Sequence, residues 1–265
     1  VCEVFGLDEL FGDICALDGA VPAEVQMELL HAHGRLLDRA SRWFVHQSPE
    51  ELDVIANIDT YRDVVTRLRT HLPDYLQGED LEVYRSERQR YRDRGVPEAL
   101  AQRAAGLLDE FALLDVVQAS VRTGMEPEET AGVYFAVTEM VSGGALLDMI
   151  RSLDRSSRWT ALARGAMRDD FYQAMLSLTD AVLRHTGGVS EDVDDMIPAD
   201  GADGADRGRR RFAAWLEANR NALEKVLDMV SELRELSTVD QAPVSVVLRQ
   251  LRGVVRSADW ASETA

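Results

Sequence analysis

The chain has 265 residues, and its 29 basic and 47 acidic side chains leave a formal net charge of −18. This excess of negative charge argues against a surface that binds nucleic acid or an anionic membrane, because both need a basic face. The apolar share of 46% is typical of a globular chain, and no apolar run reaches the roughly 20 residues of a membrane span. Two cysteines, Cys2 and Cys15, are too few for a disulfide framework.

Apolar side chains recur at helical spacing through the first half of the chain. The first series of apolar residues predicts a helix, with Cys15 on its apolar face and in the core. The series consists of Leu7, Leu10, Phe11, Ile14 and Leu17. Further helices are predicted over 22–44, from the capping box Ser48–Glu51 to Leu68, and over 79–94, 97–124 and 127–140. Proline at helix starts and glycine at helix ends mark most of these boundaries.

The second half continues the same pattern. Helices are predicted over 146–150, 156–186, 212–233 and beyond Pro243. Between two of them, glycine and aspartate dominate residues 187–206, which predicts a flexible acidic loop. No convincing strand pattern or internal repeat is present. The sequence therefore predicts an all-α fold, a multi-helix bundle of about nine or ten helices. We expect a single domain over 1–265, which can divide into sub-bundles 1–95 and 96–265.

Two carboxylate motifs suggest metal ligands only weakly. Glu28-x-x-His31 has the spacing found in helical di-metal bundles, but such sites need a second pair and two more glutamates. Asp194-Asp195 resembles half of an aspartate-rich magnesium motif, yet it lies in the predicted loop rather than on a helix face. We therefore predict no metal-binding residue in this chain.

Two further patterns suggest an anion site. Gly201, Gly204 and Gly208 loosely resemble a phosphate-binding loop, but no strand precedes them and neighbouring aspartates would repel a phosphate. Five arginines between residues 85 and 94 could bind an anion or a partner, although a solvated helical face explains them better. Since no nucleophile motif is present either, we predict neither catalytic nor cofactor-binding residues here.

One segment, residues 158–172, combines small residues with charged residues at regular spacing. Small residues let helices approach closely, and its aspartates can pair with arginines one turn away or on a neighbouring helix. The segment is either a central packing helix with buried ion pairs or an interface helix. Its interface or structural candidates are Arg158, Trp159, Arg164, Arg168, Asp169, Asp170 and Tyr172.

The same segment carries a family resemblance. Read as RW-x-ALAR-x-A-x-RDD-x-Y, it resembles a signature near the C-terminus of the large bacterial NAD-specific glutamate dehydrogenases. Other stretches agree in the same order along nearly the whole chain: 21–26, 37–43, 113–117, 133–137, 146–153 and 247–252. The resemblance implies that the chain, which begins at Val1, is the helical C-terminal domain of a longer polypeptide.

The resemblance also implies where the chemistry lies. The parent enzyme interconverts L-glutamate with 2-oxoglutarate and ammonia using NAD, and its glycine motif and catalytic lysine and aspartate belong to an upstream catalytic domain. Nothing here matches them, since the single lysine, Lys225, lies in an ordinary helical pattern. We expect no cofactor in this chain, NAD in the parent, and no activity in the domain alone. The expected partners are the catalytic and regulatory domains of the same polypeptide, in a cytoplasmic homo-oligomer.

Two other functions remain open from the residues alone. A free-standing helical scaffold or adaptor would bind a partner through an exposed apolar groove. An all-α enzyme or ligand receptor would hold a pocket between helices, with acids at 191–195 or 169–170.

Overall fold

A computed structural model describes residues 2–17, 19–46, 58–107, 109–141, 143–152, 158–186, 201–235, 241–258 and 260. Every regular element within these ranges is an α-helix and none is a strand, which confirms the all-α prediction. The described ranges contain more helices than the predicted number of about nine or ten, because turns divide several of the expected segments. The capping box at Ser48–Glu51 lies outside the described ranges.

Two compact units make up the chain, Val1–Gln118 and Ala119–Ala265. The first contains α1 (Cys2–Phe5), α2 (Leu7–Cys15), α3 (Ala23–His46), α4 (Ile58–Thr70), α5 (Leu72–Tyr75), α6 (Gly78–Asp93), α7 (Glu98–Gly106) and the first residues of α8 (Ala112–Thr123). The second contains α9 (Pro127–Met140), α10 (Gly143–Ser152), α11 (Arg158–Thr186), α12 (Gly201–Ala218), α13 (Arg220–Glu235) and α14 (Gln241–Ser257). A division at residues 95 and 96 stays a prediction of the sequence.

The apolar face of α2 is narrower than predicted. Leu7, Leu10 and Ile14 are buried, whereas Cys15 is exposed and Phe11 is half exposed. Cys15 follows Ile14 directly, so its side chain points about 100° further around the helix and away from the buried stripe. The prediction that Cys15 belongs to the core is therefore wrong.

The helix predicted over 97–124 is interrupted between Gly106 and Ala112. The Gly106 carbonyl accepts hydrogen bonds from the backbone N–H groups of Asp109 and Glu110, both at 2.9 Å. A side chain at Gly106 would place its Cβ 2.6 Å from Leu72 Cδ2, so glycine permits the close approach of α5. The turn brings Glu110 into the interior of the first unit, where it is fully buried.

In the second unit, α12 begins at Gly201, so residues 201–206 are helical rather than part of the predicted acidic loop. Gly201, Gly204, Ala205 and Gly208 form a buried stripe of small residues at helical spacing. The stripe lies against α9, where Gly132 faces the backbone of Ala205. This packing explains the correction, because glycines that favour a loop locally also let two helix backbones touch. Residues 187–200 lie outside the described ranges.

Candidate functional site

The predicted segment 158–172 forms the first half of α11, and two of its residues link α11 to neighbouring helices. Arg164 Nε donates a 3.0 Å hydrogen bond to the Ile150 carbonyl oxygen on α10. Asp170 Oδ1 accepts a 3.1 Å hydrogen bond from Arg252 Nη1 on α14. These long-range contacts hold α11 against both helices, as a packing helix requires.

The other candidates in this segment differ in environment. Tyr172 is buried, with its ring edge-on to Phe171 at 5.5 Å between centroids, while Arg168 and Asp169 are half-buried. The side chains of Arg158 and Trp159 lie outside the described part of the structure. Their interface or structural role stays a prediction.

The arginines of α6, together with Arg94 directly after this helix, form an ion-paired surface. Each one contacts a glutamate, in the pairs Arg85–Glu82, Arg88–Glu98, Arg90–Glu87, Arg92–Glu98 and Arg94–Glu28. Glu28 also accepts a 2.9 Å hydrogen bond from Arg90 Nη1. The weak metal motif at Glu28 is therefore engaged by arginine, and these five arginines already have acidic partners.

A buried polar cluster in the first unit was not predicted. Arg103 Nε donates to Glu110 Oε1 at 3.2 Å, and Arg103 also donates to the carbonyl oxygens of Phe5 and Gly6. Arg69 Nη1 donates to the same Phe5 carbonyl at 2.9 Å. Two guanidinium groups and one carboxylate thus meet at the end of α1, in a region that is largely removed from water.

Burial controls the electrostatics of this cluster. It raises the pKa of the Glu110 carboxyl, and the positive charges of Arg103 and Arg69 oppose that rise. Burial also lowers the pKa of Arg69, and repulsion from Arg103 adds to this effect. The pKa of the Tyr84 hydroxyl is raised, again chiefly by burial. Burial thus disfavours the charged form of each of these three groups.

The cluster borders a partly open cavity of about 220 Å³. It is lined by Arg69, Thr70, Leu72, Pro73, Tyr84, Ala99, Gln102, Arg103, Gly106 and Glu110. Two residues that line it each carry a buried oxygen with no hydrogen-bond partner among the described residues, Glu110 Oε2 and Tyr84 Oη. Native proteins seldom leave such atoms unpaired, so this cavity is the strongest candidate for a binding site in the part of the chain described.

The spacing of residues along the sequence does not indicate this site, because the residues that line it come from four different helices and a turn. The one local signal was a glutamate within the largely apolar stretch 107–117. Across the described ranges, no group of three or more His, Cys, Asp or Glu side chains could hold a metal ion. The helices there are also too short or too polar to cross a membrane.

Comparison with known protein families shows to which family the chain belongs. The family model for the C-terminal part of glutamate dehydrogenase matches residues 1–253. The chain belongs to the glutamate dehydrogenase C-terminal family. The resemblance carried by residues 158–172 is thereby confirmed over nearly the whole chain.

Curated relatives of this glutamate dehydrogenase domain are named NAD-specific glutamate dehydrogenases. That of Pseudomonas aeruginosa is 33% identical over 258 residues, which cover 97% of this chain and 15% of the relative. The enzyme of Mycobacterium tuberculosis is 28% identical to this chain, and the match covers 96% of this chain and 15% of the relative. The enzyme of Halomonas elongata is 30% identical, and the match covers 84% of this chain and 13% of the relative. The chain therefore spans about 15% of the length of these larger relatives.

Proposed function

We propose that this domain is a non-catalytic part of an NAD-dependent glutamate dehydrogenase. It packs on the catalytic domain of the same polypeptide and supports assembly or regulation of the homo-oligomer. The whole enzyme would convert L-glutamate, NAD⁺ and water into 2-oxoglutarate, ammonia and NADH. One observation carries the proposal: the chain matches along its length to enzymes of that name but covers only about 15% of them.

The residues of the domain agree with a role outside catalysis. Lys225, the one lysine in the chain, is exposed on the surface of α13. The buried acids Glu110 and Glu129 both contact arginines. NAD and the catalytic lysine and aspartate are accordingly assigned to the catalytic domain.

The exposed face of α11 is the proposed docking surface for the catalytic domain. Leu162 lies within the segment that resembles the family signature, and 50% of its surface is exposed. Arg164 and Asp170 fix α11 from its other sides through α10 and α14. An apolar side chain on a firmly held helix suits contact with another domain.

The test of function compares the whole dehydrogenase with the 265-residue chain. The isolated chain should neither bind NAD nor form NADH from glutamate. Removal of this domain from the whole enzyme should lower both activity and oligomer mass, measured by light scattering. Turnover by the isolated chain, or full activity and assembly without it, would contradict the proposal.

The docking surface has its own test in the whole enzyme. Leu162→Asp should weaken assembly, because it places a charge in an apolar contact. Val246→Asp on α14 is the matched control, since Val246 is also 50% exposed. Equal effects of the two substitutions on oligomer mass would rule out a special role for the α11 face.

A further inference from the structure

We propose that the docking surface on α11 continues onto α14, and that the part of the catalytic domain which meets α14 is acidic. Arg249 and Arg256 of α14 bind carboxylate groups of that domain, beside the apolar contact made by Leu162. This partner chemistry rests on the proposed function, because it concerns the same docking surface.

The charge of α14 differs from that of the rest of the chain. Its sequence contains three arginines and no aspartate or glutamate. Every other helix in the described ranges has at least one acidic residue, and the net charge of the chain is −18. The helix α14 is therefore a basic element in an acidic protein.

The three arginines form a row on one side of α14. Arg249, Arg252 and Arg256 fall within about 60° of one another around the helix axis. Arg249 and Arg256 are exposed, and about 10 Å of helix separates them. Val246 lies about 120° around the helix from Arg252, so it is outside this row.

Arg252 is neutralised within the domain, whereas the other two arginines of the row are not. Arg252 Nη1 donates a 3.1 Å hydrogen bond to Asp170 Oδ1 on α11. Arg249 and Arg256 form no salt bridge with any described residue, and Arg249 Nη2 donates to the Ser245 hydroxyl at 3.0 Å. The arginines of the ion-paired surface on α6, by comparison, each contact a glutamate.

The other acidic residues on the helices packed against α14 point away from this row. On α11, Asp169 lies about 100° around the helix from Asp170 and away from the buried side of α11. On α13, the exposed acids lie at least about 120° around the helix from the buried Val226. They are Glu224, Asp228 and Glu232. Two arginines of the row are thus available to carboxylates of a partner.

The pair of Arg252 and Asp170 joins the basic row to the apolar part of the docking surface. Asp170 lies about 12 Å along α11 from Leu162 and about 80° around it, at the edge of the exposed face. Leu162 is half exposed, and Ala166, one turn further on, is exposed as well. Two adjacent helices therefore present an apolar strip beside a basic one. This surface fits a partner whose apolar side chain is flanked by carboxylates.

Two observations select the catalytic domain as the occupant. The match covers only 15% of the Pseudomonas aeruginosa relative, so most of such a polypeptide lies outside this domain and is tethered to it. The net charge of −18 opposes the approach of nucleic acid or an anionic membrane, because both are extended polyanions. A small acidic patch on a tethered domain needs only short-range contacts, which distant charges disturb little in physiological salt.

Arginine labelling of the whole dehydrogenase tests whether the row is covered. Phenylglyoxal modifies exposed guanidinium groups, and mass spectrometry measures the rate at each arginine. Arg249 and Arg256 should react at least about tenfold more slowly than Arg210, because a docked surface must open before it reacts. Arg210 on α12 is the matched control, since it is also exposed and forms no salt bridge with any described residue. Equal rates at the three arginines would overturn the proposal.

A zero-length cross-link tests whether the partner is acidic. Arg249→Lys and Arg256→Lys keep the positive charge, and a carbodiimide joins a lysine to a carboxylate in contact with it. Digests of the whole enzyme should contain links from positions 249 and 256 to an aspartate or glutamate of the catalytic domain, whereas Arg210→Lys should give none. Links to this domain alone, in the same chain or in a second copy, or no links at all, would overturn the proposal.

Failure of the docking surface and failure of the acidic contact give different results. If Leu162→Asp leaves the oligomer mass of the whole enzyme unchanged, the docking surface is wrong, and the acidic contact falls with it. If Leu162→Asp lowers that mass while Arg249 and Arg256 react as fast as Arg210, α11 docks and only the contact through α14 is wrong.

Discussion

Trp43 Nε1 donates a 2.8 Å hydrogen bond to Asp115 Oδ1, 72 residues further along the chain, and both side chains are buried. The bond connects α3 to α8 within the first unit. Its indole donor meets a carboxylate in a region of low dielectric, where a hydrogen bond to a charged group is stronger than at the surface.

Trp43→Phe should therefore lower the free energy of unfolding by about 1.5–3 kcal/mol more than the loss of ring volume alone. Trp215→Phe is the matched control, because Trp215 is also buried but its Nε1 has no hydrogen-bond partner within the described ranges. Urea denaturation of both variants measures the difference. An equal loss of stability in the two variants would mean that the Trp43 bond contributes nothing.

The contact between α9 and α12 should not tolerate a methyl group. A Cβ atom at Gly208 would lie 2.8 Å from the Val133 backbone nitrogen, and one at Gly132 would collide with the Ala205 backbone. Gly208→Ala should cost at least about 1–3 kcal/mol, because backbone atoms cannot move aside as a flexible side chain can.

The control for this contact is Gly34→Ala on α3, where nothing lies within 4 Å of the added Cβ. Alanine should there stabilise the helix by about 0.5–1 kcal/mol, since it restricts the unfolded chain. Thermal unfolding of the two variants should shift in opposite directions. A stabilised Gly208→Ala variant would show that the two helices do not pack this closely.

The ion pair between Arg211 and Glu129 should be important for the stability of the second unit. Arg211 Nε contacts Glu129 Oε1, and Arg211 Nη1 donates to the Thr186 carbonyl at 2.5 Å. Arg211→Met removes the countercharge of a buried carboxylate, so it should cost about 3–5 kcal/mol. The additional change Glu129→Leu should recover much of that loss.

An exposed pair provides the comparison for Arg211. Arg220 and Glu217 form a 2.6 Å contact, with 75% of each side chain exposed. Arg220→Met should change the free energy of unfolding by no more than about 1 kcal/mol. Denaturant curves that show equal losses for the buried and exposed pairs would contradict the assignment.

The buried carboxyl group of Glu110 should make stability depend on pH. Burial raises the pKa of Glu110 above its ordinary 4.5, against the opposing charges of Arg103 and Arg69. Above pH 4.5 the native state thus binds the proton more tightly than the unfolded state does. Its contribution to stability is therefore present at low pH and is lost as pH rises through the folded-state pKa.

Glu110→Gln cannot titrate, so its stability should fall less over this range than that of the natural chain. Denaturation between about pH 5 and pH 7 measures the two slopes. Parallel curves would show that the burial of Glu110 has no effect on the pH dependence.

The sequence determined the helical character of the described regions and the family relationship. Helical periodicity reports a local property, since each amphipathic helix repeats its apolar residues every three or four positions. The segment from Arg158 to Tyr172 carries enough specific residues to indicate the family by itself. The turn after Gly106 was not predicted, because apolar spacing continues across it from Leu100 to Leu114.

Only the tertiary structure decided which distant residues meet. Gly204 and Gly208 favour a loop by composition, yet they are helical because their missing side chains let α12 contact the α9 backbone. Glu110 is buried because a turn brings it to Arg103 and to the end of α1. Such contacts depend on how close two helices can approach and on which charge lies opposite, and neither is encoded in the spacing of a single helix.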